Sequence, residues 1–267
     1  MALLDDGVAL YRRLNHQSGI ASALLILGIS TAHQGDFQRA DELLQQALAI
    51  FRLIGDQRSV AEVLNSLGIV MLEQADYDRS NALFEESLSI RRAMGDDLGM
   101  AQVLNGLGLV AHAQGDLERA RLLLSDSLEL HRNAGSQEGA AIALINLGWA
   151  ALDQDDVPQA VDAFKESLRM VRELEIPRVN AEALDGIAVA AMKQGELVRA
   201  VRLFGHVDAL RRSISFSREA ENDHYERSIA ATRTQLDADA WSTAWDAGRA
   251  LSEHEAIDDA LASDRDR

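Results

Sequence analysis

Seven histidines are the first candidates for chemistry in this sequence, and their spacing argues against it. His16, His33, His112, His131, His206, His224 and His254 are scattered, and His254-Glu255 has no second histidine one helical turn on, so no zinc helix of the metalloprotease kind is encoded. No cysteine is present, which removes thiolate metal sites, disulfides and a thiol nucleophile. Neither a phosphate-cradling G-x-x-x-x-G-K-[ST] loop nor a G-x-S-x-G elbow occurs. Gly106-Leu-Gly108-Leu-Val-Ala111 satisfies a loose dinucleotide fingerprint, but no strand precedes it and a helical pattern runs through it, so its glycines read as packing positions. Carboxylate pairs such as Glu85-Glu86 and Asp155-Asp156 read as solvated faces or turns. The chain is therefore expected to be no enzyme, with no catalytic residue, metal or cofactor. What does recur with regular spacing is amides. Asn65 and Asn105 stand forty residues apart, and Asn146 falls one residue past the next step. Amides have poor helix propensity and need a reason to recur on helices.

The elements that must carry them repeat at the same spacing, the first thing to seek in a chain of this length. Leu27-Gly28 returns as Leu67-Gly68, Leu107-Gly108, Leu147-Gly148 and, weakened, Ile187-Ala188. In register run Ala40, Ser80, Ala120, Ala160 and Ala200, each followed four residues later by Leu44, Phe84, Leu124, Phe164 or Phe204. Each unit reads as two helices. In the first copy, helix one is expected over residues 21–34, stopped by Gly35 with Asp36 as the next N-cap; helix two carries Phe37, Ala40, Leu44, Ala47, Phe51 and Ile54 as a core-facing stripe. Ala75 and Asp155 replace the turn glycine in copies two and four and predict weaker turns there. An arginine closes every second helix (Arg52, Arg92, Arg132, Arg172 and Arg212), where a cation favours the helix end; an anion-binding role is the lesser alternative. Leu4, Gly7, Leu10 and Arg12 continue the register backward, so the chain is expected to open in the second helix of an incomplete repeat. The organisation expected is residues 1–13 as that half-repeat, 14–213 as five repeats, and 214–267 as a helical tail.

Leu at the repeat's fourth position, Leu-Gly at the seventh and eighth, Ala at the twentieth, Phe or Leu at the twenty-fourth and Ala or Ser at the twenty-seventh resemble the tetratricopeptide repeat (TPR). The departures are Leu24, Leu64, Leu104, Leu144 and Leu184 where that family often has Trp, small residues such as Ala111 and Ala151 where it has Tyr, and arginine where it closes with Pro. The resemblance implies an all-α, right-handed solenoid whose first helices line a concave side. It also implies a protein or peptide partner in that groove, at Glu62, Asn65, Gln102, Asn105, His112, Asn146, Trp149, Glu182 and Asp185, with Trp149 as apolar anchor. The apolar row at the ninth position (Ile29, Ile69, Leu109, Trp149, Val189) either lines that groove or packs between neighbouring first helices.

The tail departs from the repeat register. Its 54 residues carry 13 acidic and 6 basic side chains, and the whole 267-residue chain has a net charge of −17. Such a charge excludes a free-standing nucleic-acid binder. No window of about 18 apolar residues is present to span a bilayer, and the start is acidic where a secretory signal is basic, so a cytoplasmic chain is expected. Helices are predicted over residues 218–235 and 237–250, the latter with Trp241 and Trp245 one turn apart, and Ser252-Glu-His-Glu255 has the form of a capping box before a short last helix and a frayed end. The paired tryptophans either close the open face of the last repeat or dock a partner. The run from Tyr225-Glu-Arg through Trp241-Ser-Thr-Ala-Trp245-Asp-Ala-Gly248-Arg249 to Glu255-Ala-Ile257 is similar to the end of bacterial multidomain regulators, which join a STAND ATPase, often with a LuxR-type module, to a C-terminal TPR array. That resemblance implies the interaction or sensor part of a regulatory protein. The alternative it leaves is a peptide or small-ligand receptor domain controlling a transcriptional regulator or ATPase.

Overall fold

The computed structural model describes residue 11 and residues 16–174, 176–213 and 219–262, and all thirteen elements among them are α-helices. Tyr11 apart, the half-repeat expected over residues 1–13 lies outside the described residues, as does the frayed end at 263–267. Contacts divide the chain into two units, Met1–Leu130 and His131–Arg267.

Unit one holds α1 (Gln17–Ala32), α2 (Phe37–Ile54), α3 (Gln57–Glu73), α4 (Tyr77–Met94), α5 (Asp97–Ala113) and most of α6 (Leu117–Asn133). One device ends each helix and starts the next. Gly35, Gly55, Gly95 and Gly115 sit in the left-handed region with φ between 66° and 82°, where a Cβ is unfavourable. The aspartates that follow cap the next helix: Asp56, for example, accepts the Ser59 N–H at 3.1 Å. These turns recur every twenty residues. Gly55-Asp56 and Gly95-Asp96 therefore close the second helices as Gly35 closes the first, a signal that reading the forty-residue unit alone overlooks. Ala75 makes the same turn without glycine. Its φ is 57°, its N–H reaches Leu72 O at 2.9 Å and the Asp76 N–H reaches Met71 O at 2.9 Å, so the turn keeps its shape at a conformational cost of about 1 kcal/mol. The first helix begins four residues earlier than expected because His16 caps it, Nδ1 accepting the Gly19 N–H at 2.9 Å.

Close helix approach explains the small-then-large pattern. A Cβ on Gly28, Gly68 or Gly108 would lie 2.7 Å from Leu44, Phe84 or Leu124 respectively. Phe84 also fills the space at Gly106, where a Cβ would meet its ring at 2.5 Å, so the Gly106-x-Gly108 pair receives one large side chain from each of two neighbouring helices and is no cofactor loop. Ser87 and Ser127, in the register where the first copy has Ala47, donate from Oγ to Ala61 O and Ala101 O, each at 2.7 Å, and pin second helices to first.

Unit two holds the end of α6, then α7 (Gln137–Asp153), α8 (Val157–Val171), α9 (Pro177–Lys193), α10 (Leu197–Ser213), α11 (Glu219–Arg233), α12 (Ala238–Arg249) and α13 (Glu253–Leu261). The repeat design persists: Phe164 packs against both Gly148 and Gly186, Ser167 donates to Ala141 O at 3.0 Å, and Asp155 takes the left-handed turn position at φ 57°. The start of α9 departs from it, with Ile176 at the N-cap and Pro177 at the first position, where a missing N–H leaves nothing unsatisfied. In the tail, Asp237 caps α12, and both arms of the capping box form at Ser252, whose N–H meets Glu255 Oε2 at 2.8 Å while its Oγ accepts the Glu255 N–H at 3.3 Å. α12 crosses α10 at Gly205 and Gly248, where the backbones are too close for a Cβ on either. Trp241 and Trp245 stack at 4.8 Å, the Arg233 guanidinium lies 4.7 Å over Trp241, and Trp245 packs on the core.

The closing arginines do more than favour helix ends. Arg52 on α2 reaches Glu86 on α4 at 2.6 Å, and Arg132 on α6 pairs with Glu166 on α8, so each links consecutive second helices. Both pairs are half exposed, which holds each contribution to about 0.2–1 kcal/mol.

Candidate functional site

The candidate residues lie on first helices, and the two units place them separately. In unit one, α3 and α5 carry Glu62 and Gln102 exposed, with Asn65, Asn105 and His112 half-buried beside them. Asn65 Oδ1 is buried and has no hydrogen-bond partner among the described residues. A buried carbonyl left unmatched costs about 1–3 kcal/mol, so a donor brought by a ligand would satisfy a standing need. Ile69, one turn along α3, is 41 % exposed. An apolar side chain open to solvent beside an unmatched amide is the chemistry that grips an extended backbone and one of its side chains.

In unit two the equivalent positions are more deeply committed to the fold. Trp149 is half-buried and meets the Phe164 ring edge-on at 5.5 Å, and Val189 is 3 % exposed. There the ninth-position row packs between helices, whereas Ile69 in unit one faces solvent. Asn146 is half-buried on α7. Glu182 pairs with Arg178 at 2.7 Å, one turn away on α9. Asp185 is not on a free face. It is 3 % exposed and accepts from Arg211 Nη2 at 3.1 Å, and the same guanidinium lies 4.4 Å over the Tyr225 ring. The residues that sequence reasoning missed are this set: Arg211 and Tyr225 tie α9, α10 and α11 together, and Tyr225 donates its hydroxyl proton to Phe204 O at 3.0 Å. Burial, with Asp208 and Asp185 near, pushes the Tyr225 phenol well above its ordinary range. Periodicity does not flag the set: Arg91 stands in the register of Arg211, but it pairs with Asp96 on the following turn, and Tyr225 lies outside the repeats.

Burial lowers the pKa of both His131 and His206, and at His206 it outweighs the Glu253 carboxylate and the carbonyls of Leu251 and Gly248, which favour the charged ring. Among the described residues no three metal-ligating side chains gather, and no helix is long and apolar enough to cross a membrane.

The profile of the tetratricopeptide repeat matches residues 19–93 and 99–173, more than half of the chain, and a second tetratricopeptide profile matches 145–205. The chain belongs to the tetratricopeptide repeat family. No curated protein sequence matches this TPR chain. Among solved structures it is similar to BtubC (BKLC) from P. vanneervenii, with TM-score 0.66, 18 % identity, and coverage of 81 % of this chain and 91 % of that one. It is also similar to a Rap protein complexed with Competence and Sporulation Factor, with TM-score 0.68, 18 % identity and 86 % of this chain covered. Aspartyl phosphate phosphatase F from Bacillus subtilis gives TM-score 0.66 at 13 % identity, again over 86 % of this chain. The TPR chain spans 63 % and 59 % of those two proteins. At such identities the likeness concerns the fold alone.

Proposed function

We propose that this TPR protein is a non-catalytic interaction module that binds a peptide segment of a partner protein on the first-helix face of unit one. The observation that carries this is Asn65, whose buried, unmatched Oδ1 sits among half-buried and exposed polar side chains one turn from an exposed Ile69. Asn105 extends the row by one repeat. Its test is selection of binders from a displayed peptide library, followed by titration against Asn65→Ala and Asn105→Ala. Loss of a peptide hydrogen bond to a buried amide corresponds to roughly tenfold or more in affinity, with circular dichroism unchanged. Selected peptides that bind both variants as tightly as the parent chain would remove this face from consideration.

The tail resemblance supports placing the module in a cytoplasmic bacterial regulator, with residues 14–213 as the binding array and 214–267 as its cover. The similar Rap structure, complexed with Competence and Sporulation Factor, favours one second reading, a receptor for a signalling factor. A thermal-shift screen of free peptides and metabolites separates the two: stabilisation by one of them, lost in Asn65→Ala, supports the receptor.

A further inference from the structure

The last helix sits where the repeat pattern breaks. Arg52 and Arg132 each find a glutamate 34 residues on, at Glu86 and Glu166. The residue in that register after Arg172 is His206, which is 4 % exposed, and Arg172 turns instead to Asp258 on α13 at 2.7 Å. α13 thus supplies the carboxylate that the following second helix supplies to Arg52 and Arg132.

Four more donors hold it. Asn180 Nδ2 donates to Glu253 Oε1 at 2.6 Å, and Arg202 pairs with Asp259 at 2.6 Å. In the last turn, Arg199 Nη2 reaches the carbonyls of Asp259 and Ala260 at 3.3 and 3.4 Å, and just past it Lys165 Nζ reaches Ala262 O at 3.1 Å. Cations at the carbonyl end and a capping box at the start suit the helix dipole. The apolar part is slight by comparison: Ala256, Ile257 and Ala260 are the buried hydrophobics of this nine-residue helix. A short helix with three buried apolar residues, held by pairs that are partly exposed, belongs to the weakly held end of a fold.

We propose that the face formed by α8, α9 and α10 is a docking site for an acidic amphipathic helix of a partner protein, which α13 occupies in cis and the partner takes when α13 lifts away. The fitting pattern is that of α13 itself: a Ser-x-x-Glu start, small or branched apolar residues at the places of Ala256, Ile257 and Ala260, and carboxylates at those of Asp258 and Asp259. Arg172, Arg202 and Asn180 meet carboxylates on this face, in a chain of net charge −17, and these three donors select acidic helices, while Arg199 and Lys165 hold backbone carbonyls that any helix offers. Cis occupancy sets the threshold for exchange, since a site covered about 99 % of the time weakens an incoming helix about a hundredfold. This surface is separate from the unit-one face, and Asn65 and Asn105 take no part in it.

The test uses the full chain and a fluorescein-labelled peptide of residues 250–263. Ile257→Asp unseats α13, and that chain should bind the peptide at least tenfold more tightly than the parent; adding Arg202→Ala should reverse most of the gain. A folded Ile257→Asp chain that binds no better than the parent overturns the proposal. If Ile257→Asp lowers the helix content of the repeats, the surface variant Asp258→Lys/Asp259→Lys takes its place under the same criterion. Hydrogen exchange on the parent adds a second readout: amides of α13 should exchange at least tenfold faster than those of α9 and α10, and equal protection overturns the proposal. A parent dimer that Ile257→Asp converts to monomer would show exchange of α13 between copies, and would overturn it as well.

Discussion

Asp185 shows what a single side chain can hide from a repeat pattern. By register it belongs with the polar face of the first helices, yet its carboxylate is buried and joined to Arg211, a residue 26 positions away. Removing one member leaves the other charge buried without its partner, so Asp185→Ala should cost about 3–5 kcal/mol in urea unfolding, while Asp185→Leu with Arg211→Met should recover most of it. A loss under about 1 kcal/mol in the single variant would contradict the burial described. The two buried histidines give a pH dependence whose sign is fixed. Their folded pKa values are lowered from 6.5, so the unfolded chain binds protons first as pH falls. Stability contributed by His131 and His206 is thus present above 6.5 and is lost as pH falls through 6.5 toward the folded values. The melting temperature should decline from pH 7 to pH 5, less steeply in His206→Gln, and parallel profiles for the two chains would contradict this account.

Among the elements, turns and glycine contacts decide stability. Ala75 holds a left-handed φ of 57° at a position where Gly35 and Gly115 stand in the first and third repeats. Ala75→Gly should therefore raise stability by up to about 1 kcal/mol, measured by the denaturation midpoint at constant slope. Gly106→Ala tests the opposite sense. Its Cβ would press on the Phe84 ring at 2.5 Å, between two packed helices, and the expected loss is about 1–3 kcal/mol. A neutral result would mean that α4 and α5 can part more easily than their packing suggests. The stripes, apart from Ile54, which lies at the helix end and is 42 % exposed, and the Gly-Asp turns within the repeat were readable in the sequence because both are local signals with fixed periods. The turns at Gly55-Asp56 and Gly95-Asp96 carried the same signal and needed only a twenty-residue comparison to be found.

For the molecule as a whole, stability is a sum over neighbours, since helices touch mainly those adjacent in sequence. A chain lacking residues 57–96 joins Asp56 to Asp97 and so keeps a cap for α5. It should remain helical and unfold cooperatively at a lower midpoint; a chain with little helix would show that unit one is more than a stack of repeats. The forty-residue period, the two helices in each repeat, the core stripe and the acidic tail with its capping box were determined by the sequence alone, because stripes and caps depend on residues three to eight positions apart and the repeat is a direct likeness of one stretch of chain to the next. Only the tertiary structure decided which polar residues turn inward. Ser87 finds its acceptor 26 residues away, Arg172 its carboxylate 86 away, and Asn65 keeps a buried oxygen that no described residue satisfies. Such partners follow from which helix lands against which, and spacing along the chain carries no record of it.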